Sequence, residues 1–335
     1  MASRPVVLCY SSFTSPVPAF DLLFELTPAY EGDFTLLDEV AVTDLSEDER
    51  AKIEGILVST GAINRTHRKV GKEIINLLPN LKVISTPSAG INHIDVQAAT
   101  DRGIRVGRSP GHFTSDSVAE FAFGLLLASA RSIVLANEIA RTTVFSSGQV
   151  RMFSPIQQVT GSTLGIIGFG NIGKAVAEKA KGFKMEILYY SRTRKEDQEK
   201  QLGVSFCPDL KELLQESDFV ILCLPYTDHT KHIISSKELC LMKPTATLIN
   251  VGRGGTVNHD DLKAALQNGV IRGAALDVTE PASLPKDHPL FTMQNVIITP
   301  HIAFYTETSL VKMLTSALDN LRAGIRGEEL PYPVY

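Results

Sequence analysis

Residues Leu164–Arg194 read LGIIGFGNIGKAVAEKAKGFKMEILYYSRTR. A short apolar run, Leu164–Ile167, leads into the turn Gly168-Phe169-Gly170-Asn171-Ile172-Gly173. The turn opens a helical stretch, Asn171–Lys181, and the chain returns to an apolar run at Ile187–Tyr190. This is a βαβ unit, and its placement gives the glycines separate tasks. Gly168 permits the tight turn, Gly170 lets backbone approach a pyrophosphate, and Gly173 lets helix and strand pack closely. The N–H groups at the start of the helix would bind the pyrophosphate. About twenty residues on, where a carboxylate would hold the ribose 2′-hydroxyl of NAD, the sequence has Ser191. Arg192, Thr193 and Arg194 follow, hydroxyl and guanidinium groups suited to a 2′-phosphate, with no acidic side chain there to repel it. The expected cofactor is NADP(H) in preference to NAD(H).

Outward from this unit, further strands are expected at Phe219–Leu224, Leu248–Val251, Ala274–Leu276 and Val296–Ile298, enough for a doubly wound sheet of six or seven strands. In the first third, short β-branched runs at Val6–Cys9, Phe34–Leu37, Ile56–Val58, Val83–Ser85 and Ile104–Val106 predict a second parallel sheet. Cap-capable residues around Thr114–Asp116 precede a long stretch with few charges, Val118–Arg131, expected to be a buried helix. A second such helix near Thr306–Arg322 would return the chain to the first domain. The expected division is residues 1–112 plus 305–335 for a substrate domain and 113–304 for the nucleotide domain inserted into it.

A chain of 335 residues can bury two sizeable cores. Charged residues make up 21% and the net charge is −4, which leaves no basic face for nucleic acid or a membrane surface. A small anionic substrate would need local positive groups. Cys9, Cys207, Cys223 and Cys240 show no metal-ligand spacing, so no metal is expected, and they read as reduced core thiols. No stretch has the length of a bilayer span, and Val6–Cys9 is too short for a signal-peptide core. A cytoplasmic location is the default expectation.

Asn250-Val251-Gly252-Arg253-Gly254-Gly255, Ala274-Ala275-Leu276-Asp277-Val278 and Thr299-Pro300-His301 together resemble the D-isomer-specific 2-hydroxyacid dehydrogenases. The resemblance runs from about Ile56 to Arg326 and takes in Ser88-Ala89-Gly90, Arg131 and Leu224-Pro225. Asp277-Val278-Thr279, Leu284-Pro285, His288-Pro289-Leu290 and Gly324–Glu328 are closest in appearance to glyoxylate/hydroxypyruvate reductases. It implies an α/β fold of two doubly wound parallel-sheet domains, a Rossmann NAD(P)-binding domain inserted into a flavodoxin-like substrate domain. It also implies NADPH-dependent reduction of a small 2-oxo acid such as glyoxylate or hydroxypyruvate to the D-2-hydroxy acid. Arg253 would pair with the substrate carboxylate, and His301 would protonate the carbonyl oxygen. The backbone N–H groups of Ala89 and Gly90 would add a second grip on the carboxylate. Asp277 would meet the nicotinamide side of the cofactor. Leu224, Pro225, Thr230, Val251 and Gly252 are further expected cofactor neighbours, and a homodimer is expected through the first long helix and the segment Glu138–Gln158.

The sequence departs from the family at two points. The family glutamate that supports the histidine falls at Ala282; the nearest carboxylate is Glu280, two residues early, and either it serves instead or the histidine has no such partner. Without such a carboxylate the His301 pKa should fall and reduction should favour acidic pH. Phe304-Tyr305 stand where small residues are common and should reshape the pocket. These departures keep a second reading open, a nucleotide-binding scaffold resembling the family's corepressors, which intact Arg253 and His301 oppose.

Overall fold

The structure is a computed structural model describing residues 4–10, 26–37, 41–58, 69–142 and 156–334. The chain forms two compact units, Met1–Phe113 with Thr306–Tyr335, and Thr114–Tyr305. Both chain ends therefore build one unit.

The first unit holds a five-stranded sheet of β1 (Val6–Tyr10), β2 (Thr35–Leu37), β3 (Ile53–Val58), β4 (Val83–Thr86) and β5 (Arg105–Arg108), in the order β2-β1-β3-β4-β5. Every pairing is parallel. Successive strand residues point to opposite faces. Val7, Leu57 and Val83 accordingly pack on Leu314, Ala317, Leu318 and Leu321 of the helix Glu307–Arg326. Leu8, Ile56 and Ile84 pack on the other side with Ile75, Ala98 and Ala99 of the helices Lys72–Leu77 and Val96–Asp101. Gly107 lets the C-terminal helix come close, since a Cβ there would lie 2.5 Å from the Asn320 amide nitrogen.

The second unit holds a seven-stranded parallel sheet: β6 (Thr163–Ile167), β7 (Glu186–Tyr190), β8 (Ser205–Phe206), β9 (Phe219–Leu222), β10 (Thr247–Asn250), β11 (Gly273–Leu276) and β12 (Val296–Ile298). Its order is β12-β11-β10-β9-β6-β7-β8, the doubly wound Rossmann arrangement, whose direction reverses between β6 and β9. One face packs Leu164, Ile166, Ile221 and Ile249 against the helices Ser115–Ala130 and Asn171–Gly182. The other packs Val220, Leu222, Leu248 and Leu276 against Leu213, Leu214, Leu262 and Leu266.

The expected strands are present, with three informative shifts. The strand expected from Ile104 occupies Arg105–Arg108, and those expected to reach Leu224 and Val251 stop at Leu222 and Asn250, where the backbone turns into site loops. The cysteines are free thiols, but Cys240 is exposed and Cys223 only partly covered, so the expectation of four core thiols holds for Cys9 and Cys207 alone. Cys240 lies at the exposed end of the short helix Ser236–Leu239, outside any strand. Among the described residues no single helix is long and apolar enough to cross a membrane. Residues 143–155 of the expected dimer segment lie outside the described residues.

Candidate active site

The nucleotide turn sits after β6, where the strand order reverses. Gly168 has φ +99°, a left-handed conformation that favours glycine, and a Cβ there would lie 2.9 Å from the Cys223 carbonyl group at the end of β9. A Cβ on Gly173 would lie 2.3 Å from the Gly168 oxygen, so helix and turn approach only through glycine. Gly170, by contrast, is the helix N-cap, with nothing within 4 Å of a Cβ position. Two closely packed glycines and one facing open space at the start of a twelve-residue helix fit a bound pyrophosphate. Phe169 is buried and stacks on Tyr189 with ring centroids 4.0 Å apart, so its ring serves the core and leaves only its backbone for a cofactor. Asn171 is exposed and Ile172 half-buried at the helix start.

In the loop after β7, the Ser191 hydroxyl donates to the Thr193 carbonyl at 2.7 Å. Arg192 and Thr193 are exposed. Arg194 is engaged elsewhere: Nε donates to Glu199 Oε1 at 3.0 Å and Nη2 to Oε2 at 2.9 Å.

Arg253 follows β10 in a braced loop. The fully buried Asn250 donates through Nδ2 to the Arg253 carbonyl at 3.1 Å and accepts from the Gly252 N–H at 3.0 Å, while the Thr256 hydroxyl donates to the same Arg253 carbonyl at 2.7 Å. Three glycines press this loop against its neighbours: Cβ atoms would lie 2.8 Å from the Leu224 oxygen at Gly252, 2.0 Å from the Thr279 oxygen at Gly254 and 2.5 Å from the Tyr226 ring at Gly255. Arg253 is half-buried, which lowers its pKa, and its Nη1 donates to the Gly252 carbonyl at 2.8 Å.

His301 follows β12 and has φ +58°, a strained conformation for a side chain of its size. The buried Asp277, at the end of β11, sustains it. Its Oδ1 accepts from the Thr299 hydroxyl at 2.6 Å and the Ile302 N–H at 2.9 Å, and its Oδ2 accepts from the Ala303 N–H at 3.0 Å. Both carboxylate oxygens are thus engaged by the turn that carries His301, and the side chain is 1% exposed. Asp277 thus positions the turn that carries His301. The Phe304 ring stands edge-on to the His301 imidazole, centroids 5.8 Å apart, and so limits its rotation, while Tyr305 is exposed. His301 keeps more than a third of its surface open, yet its pKa is lowered. Crowding by protein atoms pushes it down most; the Asp277 carboxylate opposes this and the Arg253 charge adds to it.

The Glu280 carboxylate is paired with a different histidine. Its Oε2 lies 3.1 Å from His232 Nε2, and the charges acting on His301 are those of Asp277 and Arg253. His232 is thereby a site neighbour that sequence reasoning missed, 48 residues away in the chain. Asn250 and Thr256 were missed too, although both lie within the quoted motif or just after it. The Thr230 hydroxyl donates to the Pro225 carbonyl at 2.7 Å and so shapes the turn beside Leu224. Val251 is buried. In the other unit, Ser88-Ala89-Gly90 form the turn after β4, where the Ser88 hydroxyl donates to the Gly90 carbonyl at 2.8 Å. Beside that turn His93 is buried, its Nε2 3.1 Å from the Thr86 hydroxyl, and burial pushes its pKa down to about 4.

Residues 123–303 match the family model described as D-isomer specific 2-hydroxyacid dehydrogenase, NAD binding domain. The chain belongs to the D-isomer-specific 2-hydroxyacid dehydrogenases. Among relatives of this dehydrogenase, a glyoxylate reductase of Korarchaeum cryptofilum is 39% identical, the match covering 90% of this chain and 92% of the relative. One of Thermococcus litoralis is 39% identical over the same shares. Among solved structures, a protein of Thermus thermophilus superposes with TM-score 0.82 at 32% identity, covering 98% of this chain and all of that one. An NADPH-dependent glyoxylate/hydroxypyruvate reductase of Sinorhizobium meliloti, in complex with NADP and malonate, superposes with TM-score 0.80 at 29% identity, covering 99% and 97%. The dehydrogenase therefore has a Rossmann NAD-binding domain and belongs to an oxidoreductase family.

Proposed function

We propose that this dehydrogenase uses NADPH to reduce glyoxylate, hydroxypyruvate or a similarly small 2-oxo acid to the D-2-hydroxy acid. The observation that carries the reading is the Asp277-anchored turn, which presents His301 within electrostatic reach of Arg253 beyond the C-terminal ends of β10–β12. Ligands of open α/β sheets bind at that edge. The names of the archaeal relatives and of the Sinorhizobium neighbour support glyoxylate as the first substrate to try.

When bound, NADPH supplies the hydride. Arg253, braced by Asn250 and Thr256, pairs with the substrate carboxylate through its planar fork and polarises the adjacent oxo group. His301 donates its ring proton to the carbonyl oxygen in reduction and takes a proton back in the reverse direction. Asp277 holds the turn, and Phe304 limits rotation of the ring. Gly168–Gly173 hold the pyrophosphate, and the Ser191–Arg194 loop takes the 2′-phosphate. The active form is proposed to be a homodimer and to act in the cytoplasm.

Loss of nicotinamide absorbance with glyoxylate, hydroxypyruvate and pyruvate, with NADPH and NADH compared and His301→Ala as control, tests the reading. Turnover of at least one acid, faster with NADPH and lost in the variant, is expected. Tight NADPH binding with no turnover of any acid would replace it by the scaffold reading.

A further inference from the structure

The two arginines of the cofactor loop are held differently. Arg192 is exposed and makes no hydrogen bond or ion pair among the described residues. Arg194 is fixed by both Glu199 oxygens and lies over the Phe206 ring, its guanidinium carbon 5.9 Å from the centroid. Glu199 is itself anchored. Its side chain is only 14% exposed, and Oε1 accepts from the Tyr189 hydroxyl at 2.7 Å, which in turn accepts from the Lys195 N–H at 2.8 Å. Tyr189 is fully buried and stacks on Phe169 of the nucleotide turn. The carboxylate is therefore held in place by the core of the domain and cannot drift with the loop. Hydrogen bonds from Arg194 and then Tyr189 hold its pKa below the ordinary carboxylate value, so it is anionic at neutral pH.

Building on the NADPH reading, we propose that Glu199 tunes cofactor selectivity: it withholds the Arg194 guanidinium from the 2′-phosphate and leaves Arg192 as the cation that reads it. A carboxylate and a phosphate compete for the same planar fork, and the carboxylate is already in place. Its negative charge also opposes a phosphate bound close by. Both effects vanish for a nucleotide with a bare 2′-hydroxyl, so Glu199 acts on the choice between cofactors and not on nucleotide binding in general. Glu199→Gln removes the charge but keeps an oxygen that can accept from Tyr189.

Calorimetric titration of the full chain with 2′,5′-ADP and 5′-AMP tests this without any turnover. The wild type should bind 2′,5′-ADP more tightly than 5′-AMP. Glu199→Gln should tighten 2′,5′-ADP by about three- to tenfold and leave 5′-AMP within about twofold. Arg192→Ala should weaken 2′,5′-ADP by about tenfold or more, whereas Arg194→Ala should change it less than about twofold. Loss in Arg194→Ala equal to that in Arg192→Ala would overturn the proposal by making Arg194 a phosphate ligand. So would Glu199→Gln leaving 2′,5′-ADP unchanged, or weakening both nucleotides, which would make the clamp a fold element. A wild type without preference for 2′,5′-ADP would bring down the NADPH reading itself and the role of Glu199 with it; a wild-type preference that survives unaltered in Glu199→Gln overturns only the latter.

Discussion

The proposed proton donor, His301, is held in a left-handed backbone conformation by the buried carboxylate of Asp277. Asp277 accepts one hydroxyl and two backbone N–H groups from residues 299–303, so the strain at His301 is offset by three hydrogen bonds to a single charged side chain. Proton donation requires imidazolium, and the His301 pKa lies below the ordinary 6.5. Reduction, read as kcat/KM, should therefore lose rate as pH rises through a value on the acidic side of 6.5. Asp277→Asn removes the charge that raises this pKa and should move the limb further towards acid, besides lowering kcat. An Asp277→Asn limb that coincides with the wild-type one would show that the carboxylate acts on geometry alone. His301→Ala should cut kcat by about 10²–10⁴-fold with NADPH affinity retained; unaltered kcat would remove it from the chemistry.

Among the elements, those fixed by local pattern were legible. The strands β6, β7 and β12 are apolar runs that meet a turn residue at one end, and the GFGNIG turn announces both a strand end and a helix start. The strand β8 was not, because it is two residues long and pairs only Ser205 with Leu188 and Phe206 with Tyr189. Arg253 and His301 could be found by resemblance to a family, whereas the tasks of Asp277 and Glu280 depend on partners 22 to 48 residues away that no local spacing encodes. The glycines of the Arg253 loop are legible only in part: Arg-Gly-Gly marks a turn, but the need for Gly254 comes from the Thr279 backbone. Gly254→Ala would put a Cβ 2.0 Å from that oxygen, and neither partner is a flexible side-chain end. It should destabilise the dehydrogenase by roughly 1–3 kcal/mol and displace Arg253, raising the KM for the oxo acid. Urea unfolding with wild-type stability and an unchanged KM would show that the loop has more room than its packing implies.

At the scale of the molecule, three buried or crowded histidines share one electrostatic bias across two separate cores. His93 lies in the first unit, His259 and His301 in the second, and in each the largest effect is burial disfavouring the charged ring. His93 has no opposing charge, and its pKa falls to about 4. His259 is 8% exposed, its Nε2 has no partner among the described residues, and the hydrogen bond to the Val257 carbonyl and then the Glu280 charge offset only part of the shift that burial causes. The unfolded chain takes up these protons near pH 6.5, while the folded chain resists them, so stability is complete above 6.5 and declines as pH falls. For His93 the decline runs from 6.5 to about 4 and amounts to roughly 3 kcal/mol when finished. His93→Gln keeps a side chain able to bond the Thr86 hydroxyl and removes the titration. Its melting temperature should therefore fall less than the wild type's between pH 7 and pH 4.5, with the remaining loss left to His259, His301 and the carboxylates. Equal losses in the two proteins would mean that His93 takes up its proton in the folded state as readily as in the unfolded chain, and that the acid sensitivity originates in the other titrating groups.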